Sequence, residues 1–319
     1  MAVEPQPQPT EFTPAQTATL FSKGIAMGLG DSVPGISGGT IAVITNIYDT
    51  LIFSIRAIDA RALRLLVSGE IKECWRHING SFLLTVALGM LVGLLVSANT
   101  VLYLLENQFV LLMAFFIGLV LASSVLLRQQ INVKNPKQLL ALAGGIALTA
   151  AVGFLEPVQT EPSLVYLFFC GAIAISAMIL PGLSGAFILL LLGAYEHMLS
   201  ALIAIELITI VVFMAGCATG ILAFSRLLAW MLRQYHQLSY SFIIGMLVGS
   251  LTVLWPWQQQ IAGSGGVPGS EEGLHTGNVW PLNYTEITGQ DPQLLAASAA
   301  IVAGFGVVTI LHRLFTNKA

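Results

Sequence analysis

The sequence predicts an all-α polytopic membrane protein made of two inverted-topology repeats, each with one re-entrant helical hairpin and three transmembrane helices. Three observations lead to this fold class. Hydrophobic residues make up 56% of the 319 residues and charged residues only 9%, whereas soluble domains carry roughly a quarter charged residues. The lysines and arginines are concentrated in alternate connections between the apolar segments. An apolar stretch broken by Pro-Gly also occurs twice.

Six apolar segments supply the predicted transmembrane helices. A helix needs about 20 apolar residues to cross the roughly 30 Å hydrocarbon core of a bilayer. The segments that meet this requirement, or come within a turn of it, are 80–98, 109–127, 138–155, 206–225, 239–255 and 293–312. A polar connection or a Pro-Gly region separates each from the next, so the chain is expected to pass through the membrane many times.

The distribution of lysine and arginine predicts the orientation of these helices, because short loops rich in basic residues stay in the cytoplasm. Segment 56–79 contains five of them, whereas the connections 99–108 and 156–163 and the long loop 256–292 contain none. We therefore expect 56–79 and both chain termini in the cytoplasm, and 256–292 outside. Because arginines alternate with leucine and isoleucine in 56–79, this segment is predicted to be an amphipathic cytoplasmic helix.

Two further apolar regions, 20–55 and 164–204, each begin and end on one side of the membrane and therefore cross it an even number of times. Both contain Pro-Gly, and proline ends the helix arm before it. The first arm, 20–33, would be only about 21 Å long at ~1.5 Å per residue. A re-entrant hairpin is therefore preferred over a pair of full helices in both regions. The preceding residues, 1–19, are predicted to form an exposed, proline-rich N-terminal tail.

The two Pro-Gly breaks belong to an internal repeat. A shift of 147 residues superposes the P-G-[IL]-S-G core that starts at Pro34 on the one that starts at Pro181. The same shift superposes the Tyr-Asp pair at 48–49 on the Tyr-Glu pair at 195–196. Chance similarity between two glycine-rich helices does not explain an aromatic–acid pair at the same distance from each break.

The three helices after each break also correspond. The tetrapeptide QLLA at 138–141 recurs at 293–296. The repeats are therefore predicted to cover 20–155 and 164–314, and since three crossings are an odd number, the second repeat is predicted to be inverted, as in many secondary transporters. A shift of 127 residues superposes Gly89, Gly93, Gly118 and Ser123 on Gly216, Gly220, Gly245 and Ser250.

Each break is predicted to form an anion-binding hairpin tip. Glycines allow close approach to the backbone, and Ser37, Thr40 and Ser184 fall where the returning helix starts. Serine is a favoured helix N-cap, and the backbone N–H groups at a helix N-terminus bind phosphate or carboxylate without a basic side chain. Tips that enter from opposite leaflets would meet at mid-membrane. The alternative is that both breaks are kinks that only help the helices to pack.

Asp31 and Glu206 are the candidates for coupling to an ion. Asp31 precedes Pro34 by three residues, and acidic residues inside membranes are costly and by default functional. It fits relay of a proton, binding of a cation such as sodium, or pairing with an arginine, and an interfacial cap is the alternative. Glu206 opens the helix after the second hairpin, where a boundary residue is the alternative. The nearest basic residues that would complete the site are Lys23, Arg56 and Arg226.

Composition disfavours other classes of function. The net charge of −3 arises from few charges, which argues against nucleic-acid binding. Three cysteines and five histidines are scattered without metal-ligand or redox spacing, so no metal site and no cofactor is predicted. No histidine-based acid–base pair accompanies a nucleophile at helical spacing, which disfavours an enzyme. A homo-oligomer is compatible with the sequence but is not predicted from it.

The stretches GLGDSVPGISGGTIAVITNIYDTLI and ISAMILPGLSGAFILLLLGAYEHML resemble those of a known family, the PopT-type bacterial polyprenyl-phosphate transporters, and the resemblance extends from about residue 20 to 314. It implies a flippase in the bacterial inner membrane that returns undecaprenyl phosphate, the lipid carrier of cell-envelope and peptidoglycan synthesis, from the outer to the inner leaflet. The implied contacts to the lipid monophosphate are Asp31, Ser32, Pro34, Gly35, Ser37, Gly38, Gly39, Thr40, Pro181, Gly182, Ser184 and Gly185.

Two alternatives to a lipid flippase stay open at this point. An ion-coupled secondary transporter of a soluble anion would use the same inverted repeats and hairpins. An enzyme acting on lipid phosphates is less favoured, for the reason given above. The expected partners are a polyprenyl phosphate and the bilayer itself, with a proton or sodium ion as the coupling species.

Overall fold

The computed structural model of the chain describes residues 12–31, 37–132, 134–153, 155, 158, 162–262 and 274–316. These residues are predominantly α-helical, so the all-α prediction is confirmed. The chain forms two compact units, one made of Met1–Val101 with Leu127–Ser250 and the other of Leu102–Leu126 with Leu251–Ala319. Both Pro-Gly regions belong to the first unit.

Helices account for most of the described chain. In chain order they are α1 (Pro14–Asp31), α2 (Gly38–Ile44), α3 (Tyr48–Arg56), α4 (Ala60–Val67), α5 (Ile71–His77), α6 (Gly80–Asn107), α7 (Phe109–Leu127), α8 (Pro136–Val152), α9 (Leu164–Ile179), α10 (Gly185–Leu191), α11 (Tyr195–Ile203), α12 (Leu207–Gln234), α13 (His236–Ser250), α14 (Tyr284–Thr288) and α15 (Leu294–Thr316). Short 3-10 turns occupy Arg128–Gln130 and Pro281–Asn283, and the strands are β1 (Gln258–Ala262) and β2 (Leu274–Asn278).

Several of these helices are suited to a bilayer. Three stretches are long and apolar enough to cross one: Gly80–Ser97 in α6, Phe109–Gln130 from α7 onward, and α12. The pair α10 and α11, bent by 104°, passes the same test as one broken span. Shorter apolar helices are α8, α9 and Leu294–Ile310 of α15. The architecture is therefore that of a multi-pass membrane protein.

The first helix arm is longer than predicted. α1 contains 18 residues and begins at Pro14, which makes it about 27 Å long at ~1.5 Å per residue. The extra residues 14–18 are exposed, and the buried face begins at Leu20. Part of the segment predicted as a tail is thus helical, and residues 1–11 lie outside the described residues.

Each returning arm consists of two short helices instead of one continuous helix. α2 and α10 have seven residues each, and α3 and α11 have nine each. Between them, Asn46 and Gly193 adopt left-handed conformations with φ of 57° and 64°. These two residues are related by the 147-residue shift, so the repeat extends to the backbone conformation of the break.

In both halves of the chain, the helix before the Pro-Gly break packs against the next long helix at glycines. These pairs are α1 with α6 and α9 with α12. Glycine lets two helix backbones approach closely. The glycines and the carbonyl oxygens that they face are Gly89 with Phe21, Gly93 with Ile25, Gly216 with Phe168, and Gly220 with Ala172. The first two pairs map onto the last two by the predicted shifts, so the repeat is visible in the packing. The inverted orientation of its second half stays a prediction.

The last two helices of each repeat pack against the opposite repeat. Gly145 of α8 faces the carbonyl oxygen of Phe242 in α13, and Gly304 of α15 faces that of Phe115 in α7. Phe115 and Phe242 are related by the predicted shift of 127 residues. Gly145 and Gly304 differ by 159 residues, whereas the QLLA tetrapeptides at 138 and 293 differ by 155. The QLLA alignment is therefore displaced by about one helical turn from the equivalence in the contacts.

The loop between α13 and α15 has a structure of its own. β1 and β2 pair antiparallel, with Gln258 opposite Asn278. The indole of Trp255 donates to the Val279 carbonyl at 2.8 Å, and that of Trp257 donates to the Pro292 carbonyl at 2.8 Å. These bonds anchor the described parts of the loop, predicted to be extracellular, around buried aromatic rings.

The basic segment 56–79 folds into α4 and α5. Asp59 caps α4 by accepting from the backbone N–H of Ala62, and its carboxylate lies 3.1 Å from the His77 imidazole. Slight desolvation opposes these bonds, yet together they lower the pKa of the Asp59 carboxyl below its usual value. Apolar side chains on the surface of these helices are Leu63, Leu66, Val67 and Ile71, as expected of an amphipathic segment.

Candidate functional site

The first hairpin tip consists of the end of α1 and the start of α2. Ser37 is in an extended conformation, and its hydroxyl accepts from the Thr40 N–H, so it acts as the N-cap of α2. Asp31 at the end of α1 accepts from the Gly38 N–H through Oδ1. A Cβ atom on Gly38 would lie 2.6 Å from Asp31 Oδ2, so glycine is needed for this approach. The predicted site residues Ser32, Pro34 and Gly35 lie outside the described residues.

The second hairpin tip, residues 178–185, repeats this arrangement without the acid. Ser184 caps α10 by accepting from the Phe187 N–H. Met178 occupies the position that corresponds to Asp31, and its Cβ would be 3.2 Å from a Cβ atom on Gly185. Gly182 has φ of +88°, and a Cβ atom there would lie 2.7 Å from the Met246 carbonyl oxygen. Gly182 therefore allows a tight turn against α13, and Gly185 allows a close approach to α9.

The two predicted tips are in direct contact, while their re-entrant course through a membrane stays a prediction. The Gly182 N–H donates to Thr40 Oγ1 at 2.9 Å, and the Ser37 hydroxyl donates to the Leu180 carbonyl at 3.0 Å. A Cβ atom on Gly39 would collide with the Ile179 carbonyl oxygen. Ser37 is 0% exposed and Thr40 2% exposed, so the contact is fully enclosed by protein.

In this conformation, three hydrogen-bond donors of the tips bond to other groups of the protein. The Gly182 N–H and the Ser37 hydroxyl bond across the contact, and the Gly38 N–H bonds to Asp31. Asp31 Oδ2 is buried and has no hydrogen-bond partner among the described residues. A buried carboxylate oxygen without a partner is costly, which marks Asp31 as the polar group of the site that gains most from a rearrangement.

Two of the three basic residues considered for the site, Lys23 and Arg226, bond to backbone carbonyls away from the tips. Lys23 donates from Nζ to the Thr45 carbonyl at 2.8 Å, at the far end of α2. Arg226 donates to the carbonyl oxygens of Leu222 at 2.7 Å and Ile58 at 3.2 Å. The described bonds between the tips use two neutral donors, the Gly182 N–H and the Ser37 hydroxyl, and their acceptors are Thr40 Oγ1 and the Leu180 carbonyl.

Glu206 is not part of the hairpin tips. It lies exposed at the start of α12, and its carboxylate accepts from the Thr209 hydroxyl at 3.1 Å. This position fits the boundary residue that sequence analysis kept as the alternative.

Two participants in the contact escaped the sequence analysis. The Leu180 carbonyl accepts the Ser37 hydroxyl, and the Met246 carbonyl of α13 lies against Gly182. Both act through backbone carbonyl oxygens. Because every residue type has one, the sequence does not show which of them take part. Within the described residues, no group of three or more His, Cys, Asp or Glu side chains is arranged to hold a metal ion.

Long apolar helices, broken helices whose tips are buried in protein, and a set of small neutral donors define a multi-pass membrane protein of the transporter class. Comparison with known proteins identifies the particular family. A family model described as VCA0040-like, undecaprenyl phosphate translocase-like, matches residues 27–267. The chain belongs to this family, and it is a transporter and not an enzyme. No solved structure gives a significant match.

Two curated relatives support this assignment. A polyprenyl-phosphate transporter of Vibrio cholerae is 38% identical over 295 residues, which cover 92% of this chain and 96% of the relative. A polyprenyl-phosphate transporter of Staphylococcus aureus is 31% identical over 252 residues, which cover 73% of this chain and 84% of the relative. The predicted resemblance to this type of transporter is thereby confirmed.

Proposed function

We propose that this protein moves undecaprenyl phosphate from the outer to the inner leaflet of the bacterial cytoplasmic membrane, where the carrier lipid is reused in cell-envelope synthesis. Membership of the translocase-like family supports a polyprenyl phosphate as the substrate. The observation that carries the proposal is the enclosed contact in which the Gly182 N–H donates to Thr40 Oγ1 at 2.9 Å. It brings polar groups of two separate helix breaks to one place in an apolar chain.

The phosphate is proposed to bind by exchange of hydrogen bonds. In this conformation Asp31 occupies the Gly38 N–H, and Thr40 occupies the Gly182 N–H. A phosphate that separates the tips would accept from both N–H groups and from the Ser37 and Thr40 hydroxyls. Each of these N–H and O–H donors keeps a partner in both conformations, so the exchange leaves no buried donor unsatisfied. The conformation with touching tips is then the empty state of the transport cycle.

The polyprenyl chain is proposed to remain in lipid while the phosphate is bound. Helices α9 and α10, which flank the second tip, expose the apolar side chains of Phe169, Ile173 and Leu190. Such a surface is compatible with hydrocarbon at the side of the tip. A headgroup slot with an apolar flank suits a lipid phosphate better than a fully hydrated anion, which favours the lipid over a soluble substrate.

The proposal is tested with purified protein in liposomes and a labelled undecaprenyl phosphate added to one leaflet. We expect protein-dependent loss of label from that leaflet, and competition by other polyprenyl phosphates. Competition or uptake of inorganic phosphate or carboxylates instead would favour the soluble-anion transporter. Release of inorganic phosphate from the lipid would instead favour an enzyme that acts on lipid phosphates.

The leaflet and direction are tested in cells. Depletion of the protein should raise the amount of undecaprenyl phosphate exposed on the outer face of the cytoplasmic membrane. An unchanged amount, in a cell without a second transporter of this lipid, would contradict the proposed direction.

A further inference from the structure

A second polar cluster lies at the base of the first hairpin, where α3 meets the start of α13. Asp49 Oδ1 accepts from the Tyr240 hydroxyl at 3.0 Å. Its other oxygen, Oδ2, lies 3.9 Å from His236 Nε2. The His236 and Tyr240 rings lie with their centroids 4.6 Å apart and their planes at 30°. One carboxylate thus faces a phenol and an imidazole of the same helix.

The cluster is open to solvent on one side and closed on the other. The side chain of Asp49 is 38% exposed and that of His236 is 50% exposed, so protons from water reach the pair. Tyr240 is buried, and so is Tyr48, whose hydroxyl has no hydrogen-bond partner among the described residues. Histidine is the residue type that takes up and releases protons in the physiological pH range.

The other charged groups near α3 are engaged with different partners. Arg233 of α12 lies over the Phe53 ring, 5.0 Å from its centroid. Lys23 of α1 donates to the Thr45 carbonyl before α3 begins. The titratable groups that the described contacts place at Asp49 are Tyr48 on α3 and His236 and Tyr240 on α13. The basic residues Arg233 and Lys23 each contact another group.

The second hairpin has no such cluster in its described residues. The 147-residue shift maps Tyr48 and Asp49 onto Tyr195 and Glu196, and both of these are exposed on α11. No described hydrogen bond or ion pair involves the Glu196 carboxylate. The Asp49 cluster is therefore a feature of one hairpin and not a by-product of the repeat.

α13 joins this cluster to the tip contact. His236 is its first residue and Tyr240 lies one turn further on, while Met246 near its other end lies against Gly182 of the second tip. One helix thus touches the base of the first hairpin and the tip of the second. The first residue of this helix therefore lies where the first hairpin is attached to the helix that supports the opposite tip.

We propose that Asp49, His236 and Tyr240 form a proton-binding site that couples protonation to the movement of the first hairpin during transport. The proton comes from water and binds the His236 imidazole, which then attracts the Asp49 carboxylate and holds α3 on α13. Loss of the proton removes this attraction and releases the hairpin. Tyr240 is a positioning residue, since it orients the carboxylate. The role in transport rests on the proposed function, whereas the proton site does not.

The first test measures hydrogen exchange of residues 48–56 by mass spectrometry across the range from about pH 5.5 to about pH 7.5. After correction for intrinsic exchange, we expect about threefold slower exchange at the lower pH, the size of effect of a half-exposed ion pair. His236→Gln and Asp49→Asn should abolish this dependence. The matched control is Glu196→Gln, which removes the corresponding acid of the second hairpin. This variant should keep the pH dependence of exchange in 48–56.

The second test follows transport of labelled polyprenyl phosphate in liposomes over the same pH range. The transport rate of the wild type should rise about threefold from the lower to the higher pH. In His236→Gln the rate should hardly change with pH. Tyr240→Phe, which keeps every charge and the ring, should weaken the dependence without unfolding the protein.

The outcomes separate the two proposals. Hydrogen exchange that responds to pH in the wild type, but not in the cluster variants, supports the proton site. If the wild type shows this response but does not transport the lipid, the proposed function alone is overturned. Two results would overturn the proton site. The first is wild-type protein that transports the lipid but whose hydrogen exchange in 48–56 does not change with pH. The second is a pH dependence that stays unchanged in both His236→Gln and Tyr240→Phe.

Discussion

Lys23 Nζ lies 2.8 Å from the carbonyl oxygen of Thr45, the C-cap residue of α2. The second hairpin has a corresponding bond, because the Tyr166 hydroxyl donates to the Leu192 carbonyl at 2.8 Å, and Leu192 is the C-cap residue of α10. Each arm that enters a hairpin thus fixes the last turn of the short returning helix with a side-chain donor. A cation suits this place, since the C-terminal end of a helix carries partial negative charge.

Lys23→Met should therefore loosen the first hairpin. A hydrogen bond from a charged donor to a partly buried carbonyl is worth about 1–2 kcal/mol, and the methionine keeps the apolar length of the side chain. We expect a lower midpoint of thermal unfolding in detergent, with faster hydrogen exchange in 38–45. Lys23→Arg should largely preserve stability. Equal stability of Lys23→Met and the wild type would show that the bond does not support the hairpin.

Gly39 is the glycine that sets how closely the tips approach. Because a Cβ atom there would collide with the Ile179 carbonyl oxygen, Gly39→Ala must push the tips apart and should abolish transport. The control is Gly144→Ala in α8, where a Cβ atom meets nothing within 4 Å. Transport by both variants is measured in the same liposome assay. Full activity of Gly39→Ala would mean that close approach of the tips is not part of the cycle.

Thr40→Val tests whether the hydroxyl takes part in binding. Valine has nearly the same shape, but it lacks the hydroxyl that is proposed to donate to the phosphate and that accepts from the Gly182 N–H at 2.9 Å in the empty state. We expect about a tenfold loss of affinity for a polyprenyl phosphate, as for loss of one hydrogen bond to a charged ligand. Thr219→Val is the matched control, since that exposed hydroxyl bonds only within its own helix, to the Ala215 carbonyl. Unchanged affinity in Thr40→Val would place the phosphate elsewhere.

How much of this arrangement could be predicted from sequence depends on the kind of residue involved. Ser37 and Ser184 were correctly expected as helix N-caps, because serine side chains accept from backbone N–H groups and the preceding Pro-Gly prevents helix. The helices at the six predicted spans followed from apolar length alone. These properties are local, so a single sequence contains them.

Features that depend on packing between distant segments were not predictable. The left-handed conformations of Asn46 and its partner Gly193 divide each returning arm into two helices, and nothing in the sequence analysis predicted this division. The QLLA match misplaced the last helix of the repeat by about one turn, because the contacts of Gly145 and Gly304 decide the register. Asp49 was recognised as part of a repeated pair, but its contact with Tyr240 is 191 residues away in the chain.

Asp31→Asn distinguishes a carboxylate that competes with the phosphate from one that carries a proton. The asparagine oxygen can still accept from the Gly38 N–H, as Asp31 Oδ1 does, so the local turn should survive. If a phosphate takes the place of this carboxylate, removal of its negative charge should tighten lipid binding about tenfold, since two like charges a few ångströms apart repel by a kilocalorie or more even in partly solvated surroundings. Binding is measured with the purified protein and a polyprenyl phosphate at several pH values. Glu206→Gln, the other acid first considered for coupling, is the control and should bind as the wild type does. Weaker binding in Asp31→Asn together with loss of its pH dependence would instead assign Asp31 the proton-carrying role.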